Sequence, residues 1–230
     1  MAAGLVAVLI SIFLWRASKA ECWALVGDIV CRHETDQRIV ALSFDDGPTD
    51  RGVDNVLATL QARKVHATFF LIGKHVERSP AAAQRLVAAG MEVANHSYSH
   101  KKMVGKSEAH YRQEIERTDR ILAGIGAKPN DLFRPPFGRK LIGLPNAAAA
   151  TGHRIIMWDV ADDATNHRTA RTYADDILNR VRPGSIILMH PMYRHNGVER
   201  AALPLILDGL AARGYRVVTI SALLDEQSRP

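Results

Sequence analysis

The sequence has no internal repeat, no low-complexity tract beyond alanine-rich helical patterns and no linker that would divide it. With 230 residues, 47% of them apolar, it can build one sizeable core, and a single domain is expected. It also lacks any block of five or six like charges. Lysine and arginine exceed aspartate and glutamate by 30 to 24, and the resulting +6 is scattered along the chain. No basic stripe interleaves with aromatic residues, so nucleic acid is not expected as a partner. The positive balance suits anionic surroundings such as a cell wall or a membrane surface. Cysteine is scarce. Cys22 and Cys31 are the two present, and no His or Asp motif surrounds either, which argues against a catalytic thiol. In an exported chain they are consistent with one disulfide, and equally with two free buried thiols.

Long apolar runs are missing as well, except at the start, where "MAAGLVAVLISIFLW" carries no charge before Arg16. An apolar stretch of about 14 residues falls short of the roughly 20 needed to span a bilayer and is close to a signal-peptide core. Residues 17–20, "ASKA", offer small side chains at the two positions a signal peptidase reads, although no basic residues precede the apolar core. Residues 1–20 are therefore expected to be a signal peptide or membrane anchor, which makes the protein exported: periplasmic or cell-surface, or held at the inner membrane. Residues 21–37 read as a linker segment carrying Cys22 and Cys31, and 38–225 as the folded domain.

From residue 38 onward, short β-rich runs alternate with helical patterns. The runs cover 38–44, 66–73, 91–96, 131–137, 153–160, 184–190 and 215–220, and their nearly continuous apolar character is that of strands buried on both faces. The helical patterns between them end at Gly90, Gly126, Gly152 and Gly214, where a left-handed cap is cheapest. Ser79 before Pro80 and Ser107 before Glu108 read as helix starts. A doubly wound sheet would also fit this alternation, but the polar residues favour a barrel. Asp45 and Asp46, His96, Arg134 with Phe137, Asp159 and His190 each fall at the C-terminal end of a different expected strand. Only a barrel gathers all those ends on one face. The expected fold class is α/β, a distorted (β/α) barrel with seven or so parallel strands.

"NHSYSH" places His96 and His100 four apart, and on a helical turn that spacing would put both imidazoles on one face. A carboxylate from "FDDGP" makes two His and one Asp, the composition of a hydrolytic metal site.

Four motifs occur in order across about residues 36–222: "SFDDGP" (43–48), "HSYSH" (96–100), "RPPFG" (134–138) and "LMH" (188–190). With them the chain resembles the polysaccharide deacetylase family, carbohydrate esterase family four, the homology domain of chitooligosaccharide deacetylases. The resemblance implies that Asp46, His96 and His100 bind a divalent metal, most often Zn2+, with Co2+ or another divalent ion as alternatives. It implies Asp45 as general base, Arg134 as the cation that orients it with a two-pronged guanidinium, and His190 as the acid that protonates the departing amine. Phe137, where the family often has tyrosine, supplies a backbone N–H to the oxyanion, and Leu188 lines the pocket for the acetyl methyl.

The family's fourth motif matches least. Trp158 precedes Asp159, Asp162 and Asp163, whereas the family shows aspartate followed by tryptophan. Asp163 is expected to tune His190, with Asp159 as second choice. The implied function is metal-dependent removal of N-acetyl groups from amino-sugar polymers or oligomers, of peptidoglycan or chitin type. Alternatives are hydrolysis of another amide or ester, such as an O-acetylated carbohydrate or a non-sugar C–N bond, and an inactive wall-binding module.

Overall fold

The computed structural model describes residues 2–161 and 169–226. After helix α1 (Ala2–Lys19), the described residues form nine strands that alternate with helices: β1 (Ile29–Val30), β2 (Ile39–Asp45), α2 (Asp50–Ala62), β3 (Thr68–Leu71), α3 (Gly73–Arg78), α4 (Pro80–Ala88), β4 (Glu92–Asn95), α5 (Glu108–Gly124) and β5 (Leu132–Phe133). There follow α6 (Gly143–Ala150), β6 (Arg154–Ile156), β7 (Val160–Ala161), α7 (Ala170–Arg180), β8 (Ile186–Met189), α8 (Gly197–Ala212), β9 (Arg216–Val218) and α9 (Ile220–Asp225). The strands form one parallel sheet in the order β1-β6-β5-β4-β3-β2-β8-β7, with β9 also on β2. This is the distorted (β/α) barrel expected from the sequence, with its seam between β6 and β7.

The period of two along β2 explains both the core and the site. Val40, Leu42 and Phe44 pack outward against helix residues such as Val53, Leu57 and Leu203, while Ile39 and Ala41 join Phe70, Ala94, Ile156 and Ile186 inside the barrel. Continuing the alternation, Ser43 and Asp45 point inward above Ile39 and Ala41. Ile220 and Leu223 of α9 belong to the same interior cluster. Burying such side chains is worth about 1.5 to 3 kcal/mol each, so β2 is fixed in register as firmly as any element here. The expected helix ends hold. Gly90, Gly126, Gly152 and Gly214 all take φ between 73° and 83°, and Ser107 Oγ accepts the His110 N–H at 3.3 Å, whereas Ser79 makes no side-chain cap.

Two sequence expectations need correction. The run 153–160 is not one strand. β6 pairs with β1 and β5, the chain then crosses the seam, and β7 pairs with β8. The segment 21–37, read as a linker, contributes β1. It leans on β6 through Ile29 and Val30, after which Arg32 bridges Ser185 and the His33 N–H donates to Gly184 O at 2.9 Å. This strap thus runs from β6 across the seam to the start of β8. Cys22 and Cys31 are joined as a disulfide with Cα atoms 5.2 Å apart, nine positions from each other. Closing so small a loop contributes about 2 to 3 kcal/mol in the chain-entropy picture. A Cys22→Ser/Cys31→Ser variant should lose about that much stability in urea unfolding, and a change below about 0.5 kcal/mol would contradict a formed bridge.

Among the described residues no helix is long and apolar enough to cross a membrane. α1 nonetheless exposes Leu5, Val8, Leu9, Ile12, Phe13 and Trp15, while its last turn, Ala17 and Ser18, is buried against the barrel.

Candidate metal centre

The site is built where β2, β4 and β5 end. Asp45 closes β2, and the chain turns at once through Asp46, whose φ of 71° is left-handed. Gly47 follows at φ 68°, a left-handed backbone that favours glycine. After β4 the chain runs through His96, Ser97 at φ 61° and His100 at φ 56°. The two histidines are therefore not displayed by a helical turn, as the spacing suggested, but by a loop. Asn95 pins that loop: its Oδ1 accepts the Ser97 N–H at 2.8 Å and its Nδ2 donates to Asp119 Oδ1 at 2.7 Å. Glu114 holds Ser99 by its N–H and hydroxyl at 2.8 and 2.9 Å. Phe137, at φ 59°, is the fourth strained residue of the site, and Lys64 is the one other non-glycine residue with positive φ in the described chain. Concentrated left-handed backbone of this kind costs of order 1 kcal/mol or more per residue and persists where side chains must be aimed.

The aim is convergent. His100 Nε2 lies 3.2 Å and His96 Nε2 3.6 Å from Asp46 Oδ1, and one ligand atom from each of the three residues lies within 4.8 Å of the others. His96 Nδ1 is 2.8 Å from the Arg134 carbonyl, which can only accept, so Nδ1 donates there and Nε2 is the ring atom turned toward Asp46. Burial, then the His96 charge, push the His100 imidazole down to about 4, which leaves it neutral and able to ligate. Asp46 Oδ1 is buried and has no hydrogen-bond partner. An orphaned carboxylate oxygen facing two imidazole nitrogens fits a divalent cation, and the N2O donor set suits zinc-type ions.

Asp45 is held apart from this trio. Its Oδ1 takes the Arg134 Nη1–H at 2.7 Å and its Oδ2 lies 3.7 Å from His96 Nε2. Burial alone would raise its pKa, but the charges of Arg134, His96 and His190 outweigh that and hold the carboxyl below its ordinary value. Arg134 is fully buried. The sequence suggested a two-pronged pairing with Asp45; the structure instead distributes the guanidinium over four acceptors. Nη1 also reaches Ser43 Oγ at 2.9 Å, Nε the Ile156 carbonyl at 3.2 Å and Nη2 the Met157 carbonyl at 3.1 Å. The Phe70 ring covers one face, 4.0 Å from Cζ. Four of its five N–H groups are thus bonded, which holds Arg134 against Asp45.

The remaining expected residues divide. Phe137 presents its ring, more than half exposed, 4.7 Å from the His100 ring. Leu188, in register with Ser43 on the neighbouring strand, is buried in the barrel wall. His190 follows β8, its Asn196-bonded carbonyl and Glu199-bonded N–H fixing the backbone. Asp163 lies outside the described residues. Asp159, the second choice for tuning His190, is placed elsewhere. Its carboxylate takes the Ile186 N–H at 2.9 Å and the Ser185 hydroxyl at 3.0 Å, at the start of β8, the opposite end of that strand from His190. The misplaced strand end in 153–160 caused that error. Two residues the sequence did not flag, His75 and Tyr193, flank Gly47 with their rings 6.4 Å apart. Burial, and after it the Asp46 charge, push the Tyr193 phenol up to about 12.

Residues 32–156 match the polysaccharide deacetylase family. The chain belongs to that family. It is 32% identical over 187 residues to a peptidoglycan-N-acetylglucosamine deacetylase of Bacillus cereus, covering 80% of this chain and 67% of that protein. It is 32% identical over 191 residues to the peptidoglycan-N-acetylmuramic acid deacetylase PdaC of Bacillus subtilis, covering 83% of this chain but spanning only 39% of that longer protein. Among solved structures, a peptidoglycan N-acetylglucosamine deacetylase in complex with 4-naphthalen-1-yl-N-oxidanyl-benzamide superposes with a TM-score of 0.82 at 29% identity, over 88% of this chain and 95% of that one. A pseudoenzyme of the same family from Bacillus anthracis gives 0.81 at 27% identity, over 89% and 72%. Polysaccharide deacetylase folds thus occur with and without activity, and the side chains at the site must decide.

Proposed function

We propose that this chain is a metal-dependent hydrolase that removes N-acetyl groups from amino sugars of a cell-wall polymer of the peptidoglycan type, outside the cytoplasm. The observation that carries the reading is the unpartnered Asp46 Oδ1 facing His96 and His100, beside an Asp45 kept ionised by a buried Arg134. The names of the relatives supply the substrate class. Export is supported by the apolar start of the chain and by the Cys22–Cys31 bridge, and the exposed apolar surface of α1 suits a lipid surface nearby.

Asp46, His96 and His100 would hold the metal, whose charge would polarise the acetamide carbonyl and acidify a water. Zn2+ is the first choice for this donor set. Asp45, acceptor-only and fixed by Arg134, takes the proton of the attacking water as its oxygen bonds to the carbonyl carbon. The Phe137 N–H donates to the oxyanion that forms. His190 then gives a proton to the sugar nitrogen as the C–N bond breaks, so that acetate and a free amine leave. Asp163 is the residue assigned to orient His190. Leu188 bounds the space for the methyl group.

Purified full-length protein loaded with Zn2+ or Co2+ should release acetate from peptidoglycan fragments, lose at least about 100-fold of that rate on chelation, and regain it on adding metal back. It should also sediment with lipid vesicles. Acetate release from O-acetylated xylan or aryl acetates but not from N-acetylated sugars would replace the amide reading by an ester one.

A further inference from the structure

α1 ends beside the metal centre, and its foot forms one wall of a cleft of about 320 Å³. Leu14, Trp15 and Ser18 make that wall; Lys102 from the loop after β4, and Arg139 and Leu141 from the chain after Phe137, make the other. The wall is tied down. Arg139 Nη1 donates to Ser18 Oγ at 3.0 Å, the Lys140 N–H to Ser18 O at 3.1 Å, and Lys140 Nζ to Ala20 O. The cleft therefore exists in the form of the chain that keeps residues 14–20.

Lys102 and Arg139 are the cations that line this mostly apolar cleft, and Lys19 stands on the Trp15 ring next to that lining. Lys19 Nζ sits 3.4 Å from the centre of the Trp15 ring, Arg139 Cζ 5.9 Å from the same ring, and Lys102 Nζ 6.0 Å from the Phe137 ring. Among the described residues none of Lys19, Lys102 and Arg139 makes an ion pair, in contrast to Arg63, Arg117 and Arg154, which do. Partial desolvation, then the charges of Arg139 and Lys102, lower the Lys19 ammonium, so the three cations feel one another. Converging like charges without a carboxylate leave room for an anion, while Trp15, Leu14 and Leu141 offer apolar surface to the face of a sugar ring. The distance to the chemistry is about one sugar: Lys102 reaches the Phe137 ring, and that ring packs 4.7 Å from His100.

We infer that this cleft is a subsite for an anionic substituent, a carboxylate or phosphate, on the sugar adjoining the one that loses its acetyl group. The inference rests on the deacetylase reading and adds to it that the preferred glycan is acidic. The test compares two oligosaccharides: a neutral N-acetylglucosamine oligomer, and one in which alternate rings carry a lactyl carboxylate. The wild-type chain should have the higher kcat/KM for the acidic oligomer. Lys102→Gln should lower the acidic-to-neutral ratio by about tenfold, mostly through KM, as expected for one charge-assisted contact, and Lys102→Arg should restore much of it. Raising salt should shrink the same ratio in wild type.

An equal loss on both oligomers, or no preference in wild type, would overturn the subsite. So would competition by anionic phosphatidylglycerol vesicles that changes Trp fluorescence through Lys102 while glycan preference is absent, since the cleft would then serve a lipid headgroup. Should neither oligomer release acetate, the deacetylase reading fails by itself. Fluorescence titration with the acidic oligomer, weakened by Lys102→Gln, would still establish the anion subsite.

Discussion

Exchanging Asp45 for asparagine should lower kcat by about 10³-fold, within the range of roughly 10² to 10⁴ associated with general base catalysis, while the protein keeps its metal. The change is close to isosteric, so the introduced amide can still accept from Arg134 through its oxygen and the barrel interior keeps its packing. What disappears is the capacity to take a proton. Asp45 is distinguished from its neighbour Asp46 by its partners, because its Oδ1 is committed to Arg134 at 2.7 Å while Asp46 Oδ1 has no hydrogen-bond partner and faces both imidazoles. Asp46→Asn and His96→Ala should show the complementary pattern, with reduced metal content on elemental analysis and activity that partly returns at high Zn2+. If Asp45→Asn lost its metal while Asp46→Asn retained it, the two carboxylates would have exchanged roles.

The proposed division of labour came from the resemblance to the family, and one physical point in the sequence agrees with it. Two aspartates at the end of an apolar strand cannot both be left in a low-dielectric interior as anions, so each demands its own positive partner. The motif order then pointed to the partners. The supporting residues were invisible, because Ser43, Asn95 and Glu114 are ordinary residue types whose roles depend on which strand lies next to which. Parity along β2 could have placed Ser43 inside the barrel, but nothing local says that an arginine 91 positions later reaches it.

The failures have a common origin. A run buried on both faces looks alike in sequence whether it continues as a strand or breaks, and so 153–160 read as one strand although β6 and β7 belong to opposite sides of the seam. With that strand overextended, Asp159 was credited to the catalytic face when its carboxylate caps the start of β8. β1 is two residues long and antiparallel-bridged beyond, too short to carry a periodicity. Likewise His96 and His100 are brought together by left-handed residues that no helical spacing describes. The long elements were legible because burial enforces their pattern, whereas the seam and loops are set by tertiary contacts.

Replacing Arg134 by methionine should destabilise the protein by about 3 to 5 kcal/mol, the range seen when one partner of a buried ion pair is removed. Methionine matches the length of the stem and can pack between Phe70 and Trp158, so the cost is not chiefly a cavity. It comes from what the guanidinium leaves behind: the Asp45 carboxylate without its cation, and the Ile156 and Met157 carbonyls and the Ser43 hydroxyl each short of a donor. The double variant Arg134→Met/Asp45→Asn removes the stranded charge and should recover a measurable part of the loss, giving a coupling of about 1 to 3 kcal/mol in a double-mutant cycle from urea unfolding. A single-variant cost under about 1 kcal/mol, or strict additivity, would mean that the pair is not buried in solution as it is here. Arg134 also holds His96, through the carbonyl that receives Nδ1–H, so the same backbone segment sets both the base and one metal-facing imidazole. A substitution confined to the side chain should therefore remove activity through Asp45 while the affinity for Zn2+ falls by much less, and it is that contrast between metal binding and turnover that separates an orienting cation from a merely structural one.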